Sequence, residues 1–178
     1  MPEFRDGEIA VVGVNTARSL TFKGGRINLD QVREVARRFE GLPERVTRIV
    51  VTHHPFDVPP DGDPDDVLGR APMAMAEFAR AEVDVFLSCP LHRRPIDTTA
   101  RTYRIDGFAA LVVQAGTATS TRGRGEHNAF NVLRIGERDL RIQTWRWSPE
   151  KAVFEQEGEV VYRYVHGTGW EPEQAAGG

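Results

Sequence analysis

Two short runs of apolar, β-branched residues, each closed by histidine, constrain the fold of this chain most strongly. The first is RIVVTHH at residues 48–54, and the second is VDVFLSCPLH at residues 83–92. Neither run has a helical period, and continuous apolar runs of this length are typical of strands buried on both faces of a helix-covered sheet. In open α/β sheets, ligands bind outside the carboxyl ends of the strands. The sequence therefore predicts a site built from histidines at strand ends.

The first half of the chain alternates apolar runs with amphipathic segments, which indicates βα units and a parallel sheet. In chain order, the predicted elements are a strand at 8–14, a helix that begins at Asn28 or Asp30 and stops at Gly41, a strand at 47–53, a helix at about 71–82 and a strand at 83–88. The side chains expected to face the sheet are Val32, Val35, Ala36 and Phe39 from the first helix and Met73, Ala76, Phe78 and Ala79 from the second.

The second half of the chain changes to a pattern of antiparallel strands. Residues 101–105 and 108–114 predict a hairpin that turns at Asp106-Gly107, because Asp-Gly is a strong two-residue turn signal. The segments 129–135, 139–147 and 160–165 alternate apolar and polar residues, which indicates strands with one buried face and one solvated face. Residues 167–178 are predicted to form a flexible tail, with Trp170 as a candidate anchor.

Together these elements predict an α/β (α+β) fold, a layered β-sandwich flanked by helices, as a single domain over residues 1–166. A length of 178 residues is enough to bury a core of that kind. The net charge of -3, and apolar runs that all stay short of the roughly 18 residues of a membrane span, argue against nucleic-acid and membrane partners.

A cytoplasmic location is expected from two further features. Charged residues are frequent at the start of the chain, where a signal peptide would be apolar, so none is expected. Cys89 is the only cysteine, which excludes an internal disulfide and favours a reducing compartment.

Four motifs stand in order along the chain. They are VVGVNTARS with KGGRIN at 11–28, IVVTHHPF at 49–56, VDVFLSCPLHRRP at 83–95 and VVQAGTATSTRGRGEHNAFNVLRI at 112–135. Together they resemble the C-terminal half of the calcineurin-like metallophosphoesterases, in the cyclic-nucleotide-phosphodiesterase-like branch. The first is similar to the family's G-x-N-T-A strand and G-G-R loop, the second to its strand that ends in a metal-binding histidine. The third stands where the family has G-H-x-H, and the fourth is similar to the strand and loop that follow.

The resemblance covers roughly residues 8–165 and implies a metal-dependent phosphoester hydrolase. In such enzymes, two divalent ions clamp the phosphoryl group and deliver a hydroxide. By position, His53 matches the first histidine of the pair and His92 the second histidine of G-H-x-H, so both are candidate ligands for Mn, Fe or Zn. Cys89 lies close by in sequence, and its thiolate could complete a mononuclear zinc site. His54 is expected to be packed or to support a ligand. The alternative is a cleft whose histidines hold no metal.

The chain departs from the family in its ligand set. It contains neither D-x-H nor G-N-H, the motifs of the family's N-terminal half, and Pro90 replaces the first histidine of G-H-x-H. Proline cannot bind a metal ion through its side chain. The pair Gly62-Asp63 follows the histidine strand inside a proline-rich segment, so it is interpreted as a turn. An efficient phosphoesterase is therefore not expected from this chain alone.

Candidate phosphate-binding residues are arginines near flexible backbone. Arg122 and Arg124 alternate with Gly123 and Gly125, so guanidinium groups and loop N–H groups could bind a phosphate together. Arg18, in the NTARS motif, is a third candidate. The alternative for the glycine-rich segment is a solvated basic loop that pairs with Glu126.

Two hypotheses for function remain open. The first is a metal-dependent phosphodiesterase or phosphomonoesterase whose missing ligands come from a partner that supplies the N-terminal half, or from a segment that precedes Met1. The second is a non-catalytic module that binds a small phosphorylated ligand or a protein. A half-fold of this kind would expose apolar surface, so the second hypothesis also predicts a homodimer.

Overall fold

The described residues of the chain form three layers, a pair of helices, a six-stranded sheet and a four-stranded sheet. The computed structural model describes residues 1–17, 25–57, 67–88, 96–114, 117–119 and 128–173. The predicted α/β sandwich is confirmed as a mixed α/β fold with two sheets and few helices. Both helices pack on the same face of the larger sheet, and the smaller sheet covers the opposite face.

The strands and helices have the following bounds. In chain order they are β1 (Glu3–Arg5), β2 (Ile9–Val14), α1 (Leu29–Phe39), β3 (Thr47–Thr52), α2 (Ala71–Arg80), β4 (Val85–Ser88), β5 (Asp97–Thr98), β6 (Leu111–Gln114), β7 (Ala129–Ile135), β8 (Asp139–Ser148), β9 (Val153–Val165) and β10 (Gly169–Pro172). A single turn of 3-10 helix, Thr99–Arg101, follows β5. In the described part of the chain, no helix has the length and apolar character needed to cross a membrane.

Four parallel strands form the centre of the six-stranded sheet, whose order is β1-β2-β3-β4-β6-β5. Strands β2, β3, β4 and β6 pair in parallel, while β1 and β5 are antiparallel at the two edges. The parallel register places the last residues of the four strands, Val14, Thr52, Ser88 and Gln114, side by side. All four carboxyl ends therefore lie at one edge of the sheet.

Two hydrophobic cores form because successive side chains along each strand point to opposite faces of the sheet. Val12, Val50 and Phe86 face the helices, where they pack with the buried side chains of α1 and α2. Ile49, Val85, Leu111 and Val113 face the other way and pack against Leu140, Ile142, Tyr162 and Trp170 of the four-stranded sheet. The central strands are thus covered on both faces, as their continuous apolar runs predict.

The helices differ in how well their buried faces follow the prediction. Asn28 caps α1, because its side chain accepts a hydrogen bond from the Gln31 N–H and the Gln31 side chain accepts from the Asn28 N–H. The predicted face of α1 is buried at Val32, Val35 and Phe39. In α2 the buried residues are Ala71, Ala74, Met75 and Phe78. The predicted burial of Ala76 is wrong, since it is exposed one residue away from that stripe.

The predicted hairpin at 101–114 is correct in its turn and wrong in its first strand. Phe108 N donates to the Ile105 carbonyl at 3.1 Å, and Gly107 has φ +72, which favours glycine. Residues 101–105, however, form no strand beyond an isolated bridge between Ile105 and Phe108. Strand β6 pairs instead with β4 in parallel, because its apolar run is buried between the helices and the second sheet.

The C-terminal segment is more ordered than its composition suggests. The tail predicted at 167–178 contains strand β10, whose Trp170 is 4% exposed and donates its backbone N–H to the Ala109 carbonyl at 2.7 Å. Gly169 permits this close approach, since it has φ +101 and a Cβ there would lie 2.3 Å from the Ala109 nitrogen. Trp170 therefore packs in the core between the two sheets, and the flexibility of residues 167–178 stays a prediction.

A partly buried carboxylate joins Trp170 to the larger sheet. The Asp84 carboxylate accepts a hydrogen bond from Trp170 Nε1 at 3.1 Å and another from the Arg48 backbone N–H at 2.8 Å. Burial outweighs these hydrogen bonds and raises the pKa of Asp84 to about 6. The ionised carboxylate is therefore the costly form of this residue at neutral pH.

We expect Asp84 to make the free energy of unfolding depend on pH. Its pKa in the folded state, about 6, is above the ordinary 3.8, so its contribution to stability is fully present below pH 4 and is lost as the pH rises through 6. A shift of this size corresponds to a loss on the order of 3 kcal/mol. Urea unfolding of the wild type and of Asp84→Asn between pH 4 and pH 7.5 measures this pH dependence. As the pH rises, the free energy of unfolding should fall more for the wild type than for the variant, and parallel pH profiles would contradict this account.

Candidate functional site

Three adjacent apolar strands each end in a polar residue at the carboxyl edge of the parallel sheet. Thr52, Ser88 and Gln114 are the last residues of β3, β4 and β6, and they are neighbours in the register. All three are buried, with relative exposures of 5 to 7%. The alternation of each strand places Thr52 and Ser88 on the same sheet face as Val50 and Phe86, the face that carries the helices.

The hydrogen bonds of these polar residues are incompletely satisfied. Thr52 Oγ1 donates to the His54 carbonyl at 2.8 Å. Ser88 Oγ and Gln114 Oε1 have no hydrogen-bond partner within the described residues, although both atoms are buried. Buried polar atoms without partners are uncommon and costly. Arg48 Nε, near the amino end of β3, is another such atom within the described residues.

These polar strand ends are not among the predicted site residues. The signal that could have found them is that IVVT, VFLS and LVVQ are apolar runs closed by one polar residue each. Asn131 supports the same edge from the second sheet, because its Nδ2 donates to the Gln114 carbonyl at 3.0 Å. Thr144 Oγ1 in turn donates to Asn131 Oδ1 at 3.1 Å.

The two histidines after β3 occupy different environments. His53 is exposed, whereas His54 is partly buried. The His54 Nδ1 atom is 2.9 Å from Thr16 Oγ1, which follows β2 at the same edge, and the two imidazole rings are perpendicular with centroids 5.0 Å apart. His54 is therefore packed into the strand ends, while the imidazole of His53 is accessible. Their roles as ligand and supporting residue stay predictions.

Gly25 creates the space that His54 occupies. A Cβ at position 25 would lie 2.1 Å from His54 Nδ1, which no real contact allows. Gly25 also accepts a hydrogen bond through its carbonyl from Gly69 N at 2.9 Å, which joins the segment before α1 to the segment before α2. The G-G-R motif thus has a local packing reason, since only glycine permits the imidazole to approach the backbone here.

The other predicted site residues lie outside the described residues. They are the candidate metal ligands Cys89 and His92, the substituted position Pro90, and the candidate phosphate-binding residues Arg18, Arg122 and Arg124. Among the described residues, no three His, Cys, Asp or Glu side chains come together as a metal site would require. His53 alone is one imidazole, so the described donors do not by themselves fit a bound divalent ion.

Comparisons with solved structures find matches of low similarity. A candidate 5'-nucleotidase from Staphylococcus aureus, solved in complex with alpha-ketoglutarate, matches at 14% identity and TM-score 0.41 over 94% of this chain. This chain spans 29% of that protein.

Vps29 proteins match over most of their length. Vps29 from Chaetomium thermophilum matches at 13% identity and TM-score 0.36, covering 87% of this chain and 96% of that one. A single mutant of Vps29 from Entamoeba histolytica matches at 15% identity and TM-score 0.31, covering 83% and 97%. No protein-family model and no curated protein matches the chain.

We predict that Gly25→Ala destabilises the protein by about 1–3 kcal/mol, because the added methyl group must displace the His54 ring. The Thr16–His54 hydrogen bond should be lost with it, which the histidine ring signals in NMR spectra report. Gly7→Ala is the matched control, since nothing lies within 4 Å of a Cβ there, and it should change stability by less than about 0.5 kcal/mol. Equal effects of the two substitutions would contradict the packing of His54 on Gly25.

Proposed function

We propose that this chain is a metallophosphoesterase-like protein that binds a small phosphorylated ligand at the carboxyl edge of its parallel strands. The observation that carries the proposal is that four parallel strands end side by side at this edge. The segment after each of these strands contains predicted site residues. Those residues are Arg18 after β2, His53 after β3, Cys89 and His92 after β4, and Arg122 and Arg124 after β6.

The chemistry of these residue types fits a phosphate. Arginine guanidinium groups bind phosphate oxygens through paired N–H donors, and imidazole and thiolate groups bind Zn, Mn or Fe. In the proposed site, His53 and His92, with Cys89 as a further donor, hold one divalent ion, and Arg18, Arg122 and Arg124 hold the phosphate. His54 fixes the strand end behind His53 through Thr16.

We further propose that the chain is not an efficient phosphoesterase by itself. Two-metal phosphoester hydrolysis needs a larger set of carboxylate, imidazole and amide ligands than these residues supply. Pro90 removes one donor within this chain, and the D-x-H and G-N-H motifs of the resemblance are not in its sequence. Turnover would require a partner that supplies the N-terminal half of the site.

Metal content tests the proposed site directly. Purified wild type should carry close to one equivalent of zinc, manganese or iron by inductively coupled plasma mass spectrometry, and His53→Ala and His92→Ala should lose it. The control is His166→Ala, which removes an exposed histidine that follows β9. Less than about a tenth of an equivalent in the wild type, or equal loss in the control, would contradict a metal at the strand ends.

One observation favours the alternative, a non-catalytic module that homodimerises. Four aromatic rings share the face of the second sheet that points away from the first, and they pack on one another. Phe130 is parallel to Trp145 with centroids 6.2 Å apart, while Phe154 contacts Phe130 at 4.8 Å and Trp147 at 5.3 Å. Aromatic residues are enriched at protein interfaces, and a second copy of this chain is the partner that this alternative names.

The oligomeric state tests this alternative. We expect a dimer by size-exclusion chromatography with light scattering, and we expect Trp147→Asp to convert it to a monomer, because a buried carboxylate in the interface would be left unpaired. Phe4→Asp is the matched control, since Phe4 is a 56% exposed aromatic residue on an edge strand of the other sheet. A monomeric wild type would contradict the homodimer.

A further inference from the structure

A cavity of about 500 Å³ lies at the opposite edge of the parallel sheet from the strand-end histidines. Thr47 and Arg48, at the start of β3, and Asp84, just before β4, are among the residues that line it. Tyr164 and Trp170, from β9 and β10, form an aromatic wall. The volume is within the range of about 300–1,000 Å³ that small-molecule sites usually have.

The two rings of the aromatic wall differ in exposure. Trp170 is 4% exposed, and its Nε1 donates to Asp84. The Tyr164 ring packs against it with centroids 5.6 Å apart and an angle of 70° between the rings, yet Tyr164 itself is 37% exposed. An exposed aromatic ring that lines a cavity and packs on a buried neighbour favours a flat ligand, because it offers surface for stacking.

The charges around the cavity nearly balance. Its carboxylates are Glu44, Glu82, Asp84 and Glu137, and its guanidinium groups are Arg45, Arg48 and Arg138. Glu82 and Arg48 already form an ion pair at 3.3 Å. His166 adds one more imidazole at the rim. A charged ligand would meet comparable attraction and repulsion here, whereas an uncharged ligand can use both kinds of group as hydrogen-bond partners.

The Tyr164 hydroxyl adds a donor inside the cavity. Burial raises the pKa of Tyr164, and the neighbouring carboxylates of Asp84, Glu82 and Glu44 raise it further, although Arg138 opposes them. The hydroxyl is therefore protonated throughout the physiological pH range and can donate to a carbonyl oxygen or a ring nitrogen.

We propose that this cavity binds a planar, uncharged heteroaromatic molecule of about the size of a nucleobase or nicotinamide. The ring stacks on Tyr164. Its carbonyl oxygen or ring nitrogen accepts from Arg45, Arg138 or the Tyr164 hydroxyl, and its N–H groups donate to Glu44 or Glu137. The site is separate from the proposed phosphate site, since the two lie at opposite ends of the same strands.

Nicotinamide and adenine are the probes that test this site, by saturation-transfer difference NMR followed by titration calorimetry. We expect both to bind the wild type, and Tyr164→Leu to bind about tenfold more weakly because the stacking ring is lost. Ala79→Met fills the cavity from α2 without removing any polar group, so it should also weaken binding, and it decides the question if Tyr164→Leu fails to fold. Phe4→Ala, which removes an exposed ring from edge strand β1 and lies outside the cavity lining, should bind as the wild type does.

Three results would overturn the proposal. The first is no saturation transfer to either probe at millimolar concentration. The second is tighter binding of benzoate or benzylammonium than of nicotinamide, which would assign the cavity to a charged ligand. The third is binding that His53→Ala abolishes and Ala79→Met leaves unchanged, which would place the probe at the strand-end site.

Discussion

The parallel register of four strands that are buried on both faces is the constraint on which the rest of this structure depends. Each of β2, β3, β4 and β6 must find apolar partners above and below, and the helices and the second sheet provide them. Because all four strands run in the same direction, their carboxyl ends align at one edge and their amino ends at the other. The two edges then acquire different surroundings, with His53, His54 and the polar strand ends at one and a cavity lined by charged and aromatic residues at the other.

The second sheet is joined to the first by a few specific contacts as well as by its apolar core. Asn131 donates to the Gln114 carbonyl near the carboxyl edge, and Trp170 donates to Asp84 near the amino edge. Tyr162, between them, donates its hydroxyl to the Ile96 carbonyl at 3.1 Å. These polar contacts fix the orientation of the two sheets, which apolar packing alone would leave less specific. The Trp170–Asp84 hydrogen bond holds β10 beside the cavity at the amino edge.

The candidate site could be predicted in part. The histidines at the end of β3 were predicted because an apolar run followed by His-His is visible in the sequence. Their different environments were not predicted, because these depend on Thr16 and Gly25, which are distant in the chain. Ser88 and Gln114 were not predicted as site residues because a single serine or glutamine after an apolar run is not a recognisable motif. Only the strand register shows that the two residues are neighbours.

The sequence by itself determined the strands and helices whose periodicity is strong, since the side-chain pattern along an element reports which of its faces is buried. It determined α1, the turn at Gly107 and the strand-end position of His53 for this reason, while the structure decided that Asn28 and not Asp30 caps α1. Only the tertiary structure decided the partner of β6 and the docking of Trp170. The physical reason is that both depend on contacts between residues far apart in the chain. Leu111 and Val113 have the same apolar pattern in a hairpin as in a parallel sheet, and Trp170 is anchored by Asp84, 86 residues before it.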